Sequence, residues 1–154
     1  MSTISKYKRV RLRTLLIGAI CAAAILLYPF KSTVCPAWRI QIVDAEGNSV
    51  RDVFVRQHWQ DYSVESNGHE QDTHSDENGY VDFPERTIRA NILSRFMGAT
   101  LNVLLQGIHA SFGASAHIAA YGDMVKGRRL EGYADYKQGQ PLPAQIKMHI
   151  MNLY

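Results

Sequence analysis

Apolar and polar residues alternate along several stretches of the chain, and each such stretch is short. This period of two predicts half-buried β-strands, because successive side chains of a strand point to opposite faces of its sheet. The last stretch is the clearest: Ile146, Met148 and Ile150 should face the core, and Lys147 and His149 should face solvent. The predicted strands lie within Trp38–Val43, Val50–Trp59, Gly79–Pro84, Ala114–Gly122 and Ala144–Leu153.

One internal stretch has a helical period instead. Between Ile88 and Gly107 the apolar residues recur every three or four positions, and Gly107 is a suitable stop. We therefore expect a helix over roughly Asn91–Gln106. The segment Gly122–Pro143 contains four glycines and two prolines, which predicts a loop with at most one short strand near Tyr133.

A second apolar run precedes all of these elements. Residues 14–30, TLLIGAICAAAILLYPF, carry no charge over 17 positions. A helix of that length spans ~25 Å, close to the ~30 Å of a hydrocarbon core, which predicts an uncleaved transmembrane signal-anchor. A cleaved secretory signal has the same outline, and a weak cleavage motif ends at Ala37. Lipidation of Cys21 is disfavoured, because Ile20 occupies the place of a small residue.

The charges are distributed unevenly along the chain. The first fourteen residues hold five of the 17 basic residues and no acid, so the rest contains 12 basic and 14 acidic residues. A nucleic-acid-binding protein would carry its basic excess on the folded surface, so nucleic acid is excluded as a partner. Basic residues ahead of an apolar segment keep the N-terminus in the cytoplasm. The folded part should therefore be extracytoplasmic, and periplasmic in a Gram-negative cell.

These features divide the chain into a basic cytoplasmic tail (1–13), the anchor (14–30), a linker (31–36) and one folded domain (37–154). Many short strands with one helical insertion predict a mainly β domain, specifically an antiparallel β-sandwich.

Two motifs carry a resemblance to a known group. IQIVDAEGNSVRDVFV, Ile40–Val55, resembles the first hairpin of the carboxypeptidase regulatory-like modules, which belong to the transthyretin (prealbumin)-like sandwiches. THSDENGYVDFP, Thr73–Pro84, resembles the next element of that pattern, an acidic turn that closes on glycine before a strand ending in Phe-Pro. Ser49 stands where proline is usual. The resemblance implies a prealbumin-like fold and an accessory rather than a catalytic role.

The stretch HEQDTHSDENGYVDFPER is the densest cluster of potential metal ligands. His69, Asp72, His74 and Asp76 could meet at a hairpin tip, although a structural zinc site prefers four nitrogen or sulfur ligands. A calcium loop is excluded, since Glu77 occupies the position of the required glycine. We expect mainly a solvated hairpin tip, in which Asp76–Gly79 form a tight turn.

Two other residues are candidates for chemistry. His109, in GIHASFG, lies between glycines where an imidazole could be exposed in a cleft, or could bond a backbone carbonyl. Cys35 would be the one extracytoplasmic cysteine, which allows an intermolecular disulfide or a shielded free thiol.

No nucleophile elbow or phosphate-binding loop occurs in the sequence. We therefore expect a membrane-tethered, non-catalytic module that needs no cofactor and acts by binding an envelope partner or in envelope assembly. The competing hypothesis is a metal-binding protein or hydrolase that uses His69, His74 and His109. Fold resemblance by itself does not decide between them.

Overall fold

The computed structural model describes the backbone of residues 3–125 and 128–150, and the side chains of residues 12–123 and 130–150. Its helices are α1 (Thr3–Leu27) and α2 (Ile92–Gln106), and a short 3₁₀ helix, Gly107–His109, follows α2. Its strands are β1 (Phe30–Cys35), β2 (Trp38–Val43), β3 (Phe54–Asp61), β4 (His69–His74), β5 (Tyr80–Phe83), β6 (Arg86–Ala90), β7 (Ala114–Val125), β8 (Arg128–Tyr136), β9 (Gln145–Lys147) and β10 (His149–Ile150).

In the described part of the chain these strands form three sheets, with orders β10-β8-β7-β3-β4, β5-β2-β9 and β1-β6. All neighbours are antiparallel except β2 and β9. The five- and three-stranded sheets share one hydrophobic core, to which β2 contributes Trp38, Ile40 and Ile42, and β3 and β7 contribute Val55 and Ile118. The predicted mainly β fold is confirmed.

Residues 31–36, which the sequence predicts as a linker, form most of β1 instead. β1 pairs with β6 in an antiparallel ribbon that runs from Phe30 opposite Ala90 to Cys35 opposite Arg86. Val34 and Cys35 are buried, so this segment belongs to the folded domain. The first half of β1 is polar, and its pairing with β6 is a long-range contact. The strand therefore cannot be recognised from the local sequence.

The turn after β4 plays its predicted role but does not close a hairpin. Asp76 Oδ1 accepts hydrogen bonds from the backbone N–H groups of Asn78 and Tyr80, each at 2.8 Å, and Gly79 has a φ of 76°. However, β4 belongs to the five-stranded sheet and β5 to the three-stranded sheet. The predicted hairpin tip is therefore corrected: the turn carries the chain between sheets, and residues 69–74 are an edge strand.

The turn after β2 is built in the same way. Asp44 Oδ1 accepts from the backbone N–H groups of Glu46 and Asn48, at 3.0 and 2.8 Å, and Gly47 has a φ of 93°. These hydrogen bonds lower the pKa of Asp44, that from the Asn48 side chain most. Because β2 and β3 lie in different sheets, the hairpin expected over Ile40–Val55 is also a crossover.

The C-terminal stretch departs from its prediction. Ile146 in β9 and Met148 after it are buried, at 1% and 2% exposure, and Lys147 and His149 are exposed, as expected. Ile150 is 38% exposed, so its predicted core position is wrong. The reason is that the stretch changes sheets: β9 pairs with β2, whereas β10 pairs with β8. Residues 151–154 lie outside the described part of the chain.

The segment Gly122–Pro143, predicted as a loop with one short strand near Tyr133, contains the end of β7 and the nine-residue strand β8. Gly132 lies inside this strand, where a Cβ atom would overlap Cγ2 of Ile146. Glycine here permits close packing between sheets rather than a turn, which explains why its presence misled the prediction.

The predicted helix is confirmed as α2, with Asn91 as its N-cap and Gly107 as its C-cap. The Asn91 side chain accepts a hydrogen bond from the Ser94 backbone N–H at 2.7 Å. The apolar residues that revealed its period are exposed, however, and the buried residue of the helix is Asn102.

Helix α1 contains most of the predicted anchor, residues 14–30. The apolar side chains described along it are exposed, with Leu15 at 71% and Ile20 at 67%. Among the residues whose placement the structure describes, no helix has both the length and the apolar composition needed to span a membrane. Of the predicted tail, 1–13, residues 1 and 2 and the side chains through residue 11 lie outside the description.

Candidate functional site

The outer face of the five-stranded sheet carries an ordered array of polar and aromatic side chains. β3 alternates, so that Val55, Gln57 and Asp61 are buried while Phe54 and Arg56 point outward. Strand register then sets outward residues of four strands side by side in three rows. These are a histidine row (Glu70, His58, His117, Asp135), an arginine row (Asp72, Arg56, Ala119, Tyr133) and an aromatic row (His74, Phe54, Tyr121, Glu131).

The histidine row places two imidazoles between two carboxylates. The rings of His58 and His117 stack with centroids 4.9 Å apart and an interplanar angle of 22°. Burial lowers the pKa of His58, and the neighbouring His117 lowers it further against the opposing effect of Glu70. The loop before β4 encloses this imidazole, since a Cβ atom on Gly68 would overlap it. His58 is therefore held in its neutral form more strongly than a free histidine.

The arginine row is fixed by ion pairs. Arg56 donates two hydrogen bonds to Asp72, from Nε to Oδ1 at 2.7 Å and from Nη2 to Oδ2 at 2.8 Å. Its Nη1 lies 3.1 Å from Glu70 Oε2, which ties this row to the histidine row. The bonds from Arg56 lower the pKa of Asp72. The Asp72 carboxylate therefore forms a bidentate ion pair with Arg56 and is not oriented towards a ligand.

The aromatic row continues from the edge strand to β8. The Phe54 ring lies 5.6 Å from that of His74 and 6.1 Å from that of Tyr121. The Tyr133 hydroxyl donates to Glu131 Oε2 at 3.3 Å. Burial of that hydroxyl, together with Tyr121 and Glu131, raises the pKa of Tyr133 to about 12, although the residue as a whole is 56% exposed.

A cavity of about 580 Å³ opens at the end of the aromatic row. This volume lies in the range typical of small-ligand sites. Apolar and aromatic residues cover part of its wall: Val53, Phe54, Tyr121, Leu130, Met148 and Ile150. Carboxylates line another part: Asp44, Glu46, Asp52 and Asp123. Among the residues whose side chains the structure describes, the basic groups at this wall are Arg51 and the imidazoles of His74 and His149. Acidic groups therefore outnumber arginine among the described residues of the wall.

Asp52 has an unusual backbone at the cavity wall. Its φ is 55°, in the left-handed region that few residues other than glycine adopt, although aspartate tolerates it better than most. Its N–H donates to the Ser75 carbonyl at 3.1 Å, and the Ser75 hydroxyl bonds the Val50 carbonyl at 2.9 Å. These hydrogen bonds fix the conformation of the loop and hold the carboxylate of Asp52 at the cavity.

The sequence-predicted metal ligands are not brought together. His69 and His74 lie at opposite ends of β4, and the alternation of that strand puts His69 on the face opposite to Asp72 and His74. His69 Nε2 lies 2.6 Å from Glu65 Oε1, and its ring stacks on Trp59. Asp76 caps its turn. Among the described residues, no group of three or more His, Cys, Asp or Glu side chains is placed to hold a metal ion.

His109 lies apart from this surface. It is an exposed residue of the 3₁₀ helix after α2, whereas the three rows belong to β3, β4, β7 and β8, and the cavity is lined by these strands, by β10 and by adjoining loops. Of the predicted candidates, His74 alone lines the cavity.

Sequence reasoning missed His58, His117 and Tyr121. The alternation in β3 did indicate that Phe54, Arg56 and His58 share a face, and burial confirms it. The rows themselves depend on which strands are neighbours, which no local pattern contains. No protein-family model matches the chain, and no match to it was found among curated proteins.

Proposed function

We propose that this protein is a membrane-tethered binding module of the cell envelope, non-catalytic and with its folded domain outside the cytoplasm. The observation that carries the proposal is the cavity of about 580 Å³ at the end of the aromatic row. Concave, partly apolar sites with a few polar groups are the usual form of a binding site. The ordered side chains beside it extend the contact area over the open sheet face.

The domain architecture we propose is a prealbumin-like β-sandwich of the carboxypeptidase regulatory-like kind. Two sheets that share one core, and two aspartate-capped turns that carry the chain between them, support this. The parallel pairing of β2 with β9 adds one feature that an all-antiparallel sandwich lacks.

The anchor we propose is the uncharged run of residues 14–30. Its 17 uncharged positions and the basic residues before it support this assignment. Membrane fractionation is the deciding experiment.

The chemistry of the cavity favours a ligand with a positive charge and an apolar group. Glu46, Asp52 and Asp123 are exposed carboxylates at the wall, and Phe54 and Leu130 offer apolar contact. A lysine- or arginine-bearing segment of an envelope protein has this combination. Such a segment would place its aliphatic or aromatic side chain in the cavity and its cation beside the carboxylates.

A peptide-binding experiment tests this. The full chain in detergent micelles is titrated with acetyl-Lys-Phe-Lys-amide and with acetyl-Glu-Phe-Glu-amide, and the melting temperature is measured. A ligand that binds the folded state raises it. We expect a rise with the cationic peptide alone, lost in the double variant Asp52→Asn with Asp123→Asn and retained in the control Glu77→Gln. Equal shifts with both peptides, or a shift that survives in the double variant, would contradict the proposal.

Metal analysis tests the competing hypothesis. Stoichiometric zinc or copper in the purified full chain, lost when His69→Ala and His74→Ala are combined, would favour a metal-dependent function. Metal that is absent or present in traces is the result we expect, because Glu65 and Trp59 already contact His69.

A further inference from the structure

Helix α2 packs on the domain through its polar side. Arg95, Gly98 and Asn102 recur at helical spacing and form one stripe, which faces the loop after β3. Arg95 Nη1 lies 3.1 Å from the buried Asp61 Oδ2, and the Asn102 amide donates to the carbonyls of Tyr62 and Ser111. A Cβ atom on Gly98 would overlap the Ser63 carbonyl, so the two backbones are in close contact.

The rest of the α2 surface is apolar and exposed. Leu104, opposite the stripe, is 74% exposed, Leu105, beside the stripe at the end of the helix, is 82% exposed, and Ile108 in the following turn is 97% exposed. The other exposed apolar residues of α2 are Ile92, Leu93, Phe96, Met97, Leu101 and Val103. A shallow hollow of about 230 Å³ on it is lined by Phe96, Met97, Thr100 and Leu101.

This arrangement is the reverse of a water-soluble amphipathic helix, which buries its apolar stripe and exposes its charged one. The single charged residue of α2, Arg95, is turned inward. A concentration of exposed apolar residues of this kind marks a site for contact with a membrane or a partner.

The ribbon β1–β6 determines where this surface lies. β1 begins just after α1, and β6 ends just before α2, with Phe30 directly opposite Ala90. The end of α1 and the start of α2 therefore leave the ribbon side by side, and the two helices are in contact. The exposed apolar faces of α1 and α2 lie at the same end of the domain.

Residues suited to a membrane surface occur at this junction. The rings of Tyr28 and Phe30 lie 4.9 Å apart, edge to face, and both residues are exposed. Tyrosine is one of the two residue types that concentrate at membrane–water interfaces. Lys31 and Arg89 are cross-strand partners one position further along the ribbon, about 3.4 Å beyond Phe30 and Ala90. The Lys31 ammonium lies 3.5 Å from Glu85 Oε2, so Arg89 is the cation of this pair that we expect to contact the phosphate layer of an anionic bilayer.

We propose that α2 lies in the surface of a phospholipid bilayer, with Leu104 and its apolar neighbours among the acyl chains, and forms a second membrane contact of the domain. This inference rests on the membrane tethering proposed above. Arg89 and the interfacial Tyr28 beside the apolar helices complement a lipid headgroup layer, and they favour a bilayer over a second copy of the chain as the occupant.

Depth measurements in proteoliposomes test the inference. The full chain, with Cys21→Ala, carries an environment-sensitive fluorophore on one introduced cysteine: Leu104→Cys on α2, Leu16→Cys on α1, or Glu46→Cys at the cavity. The vesicles contain phosphatidylglycerol and phosphatidylcholine with brominated acyl chains, which quench a fluorophore by contact. We expect strong quenching at positions 104 and 16 and none at position 46.

The outcomes separate α2 from the anchor. Quenching at position 16 without quenching at 104 would overturn the inference and leave the tether intact. Quenching at 104 without quenching at 16 would support membrane contact by α2 and refute the anchor. A label at 104 that is shielded from water, is not quenched, and cross-links one copy to another would assign the face to a dimer and overturn the inference.

Discussion

A series of side-chain contacts joins the β1–β6 ribbon to the inner side of β3. Arg86 Nε donates to Gln57 Oε1 at 2.9 Å, and its guanidinium lies 4.0 Å from the centre of the Trp59 ring. Gln57 Nε2 in turn donates to Cys35 Sγ at 3.8 Å. Burial raises the pKa of Cys35 to about 11, and the nearby Arg86 opposes that shift. The enclosed, protonated thiol counts against the intermolecular disulfide through Cys35 that the sequence allowed.

We expect Cys35 to resist alkylation in the folded protein. A thiol with a pKa of about 11 is almost entirely protonated at pH 8, and Cys35 is fully buried. In a Cys21→Ser background, reaction with iodoacetamide at pH 8 should be about a hundredfold slower for the native chain than in denaturant, because the thiolate is the nucleophile. Equal rates in the two states would show that the thiol is accessible.

The histidine row should make stability depend on pH. The pKa of His58 is lowered in the fold, chiefly by burial and then by His117, so the unfolded chain binds the proton more tightly. Its contribution to stability is therefore present above the unfolded pKa of about 6.5 and is lost as the pH falls through the folded value.

Urea unfolding at several pH values measures this effect. Wild type should lose stability between about pH 7 and pH 5, and His58→Gln should lose less. His117→Gln should give an intermediate slope, because it removes the second cause of the shift and leaves the burial. A steeper loss in His58→Gln than in wild type would contradict the assignment.

At the level of elements, α2 reverses the usual rule for a surface helix. Asn102 is 8% exposed and its amide donates to two backbone carbonyls, whereas Leu104 is 74% exposed. Asn102→Leu should cost ~1–3 kcal/mol, because buried acceptors lose their donor. Leu104→Asn should change the free energy of unfolding by less than ~0.5 kcal/mol.

Denaturant unfolding of the full chain in mild detergent compares the two variants. The reverse order, with Leu104→Asn the more destabilising, would mean that protein or detergent covers the apolar face in the folded state.

The change of sheets between β9 and β10 makes a second pair of substitutions informative. Ile146 is 1% exposed and belongs to the shared core, so Ile146→Ala should cost ~2–4 kcal/mol. Ile150 is 38% exposed at the cavity wall, and Ile150→Ala should cost less than ~1 kcal/mol. Thermal melts of both variants measure these costs. Similar losses of stability would support the single continuous strand that the alternation predicts.

For the whole molecule, the cavity and α2 lie at opposite ends of β3. Phe54, the first residue of the strand, lines the cavity, and Asp61, the last, contacts Arg95 of α2. Eight residues of strand extend over ~25 Å. If α2 lies at the bilayer as proposed, the binding cavity faces away from it, where an envelope partner can reach it.

The anchor is tested on intact cells. If residues 14–30 remain attached, the mature protein retains the residues before them and stays with membranes after a carbonate wash. We expect both results, because an uncleaved apolar helix is not displaced by alkaline or ionic treatment. A mature N-terminus at Trp38, or release of the chain by carbonate, would show that the run is a cleaved signal.

Local sequence patterns were sufficient to predict several elements of the fold. The alternation of Trp38–Val43 predicted β2, and the helical period with Gly107 as its stop delimited α2 within one residue. The aspartate-capped turn at Asp76 was likewise recognisable. In each case the signal depends on groups a few residues apart, such as a side chain that caps a nearby backbone N–H.

The tertiary structure alone decided which strands are neighbours and which faces are covered. Two turns that resemble hairpins carry the chain between sheets, and β4 became an edge strand. The periodicity of α2 is the same whether water, protein or lipid covers its apolar side, so the sequence could not place that side outward. His58 and His117 lie 59 positions apart in the chain and are stacked only because β3 and β7 pair. Such contacts depend on the global packing that minimises exposed apolar area, which no local segment of the sequence specifies.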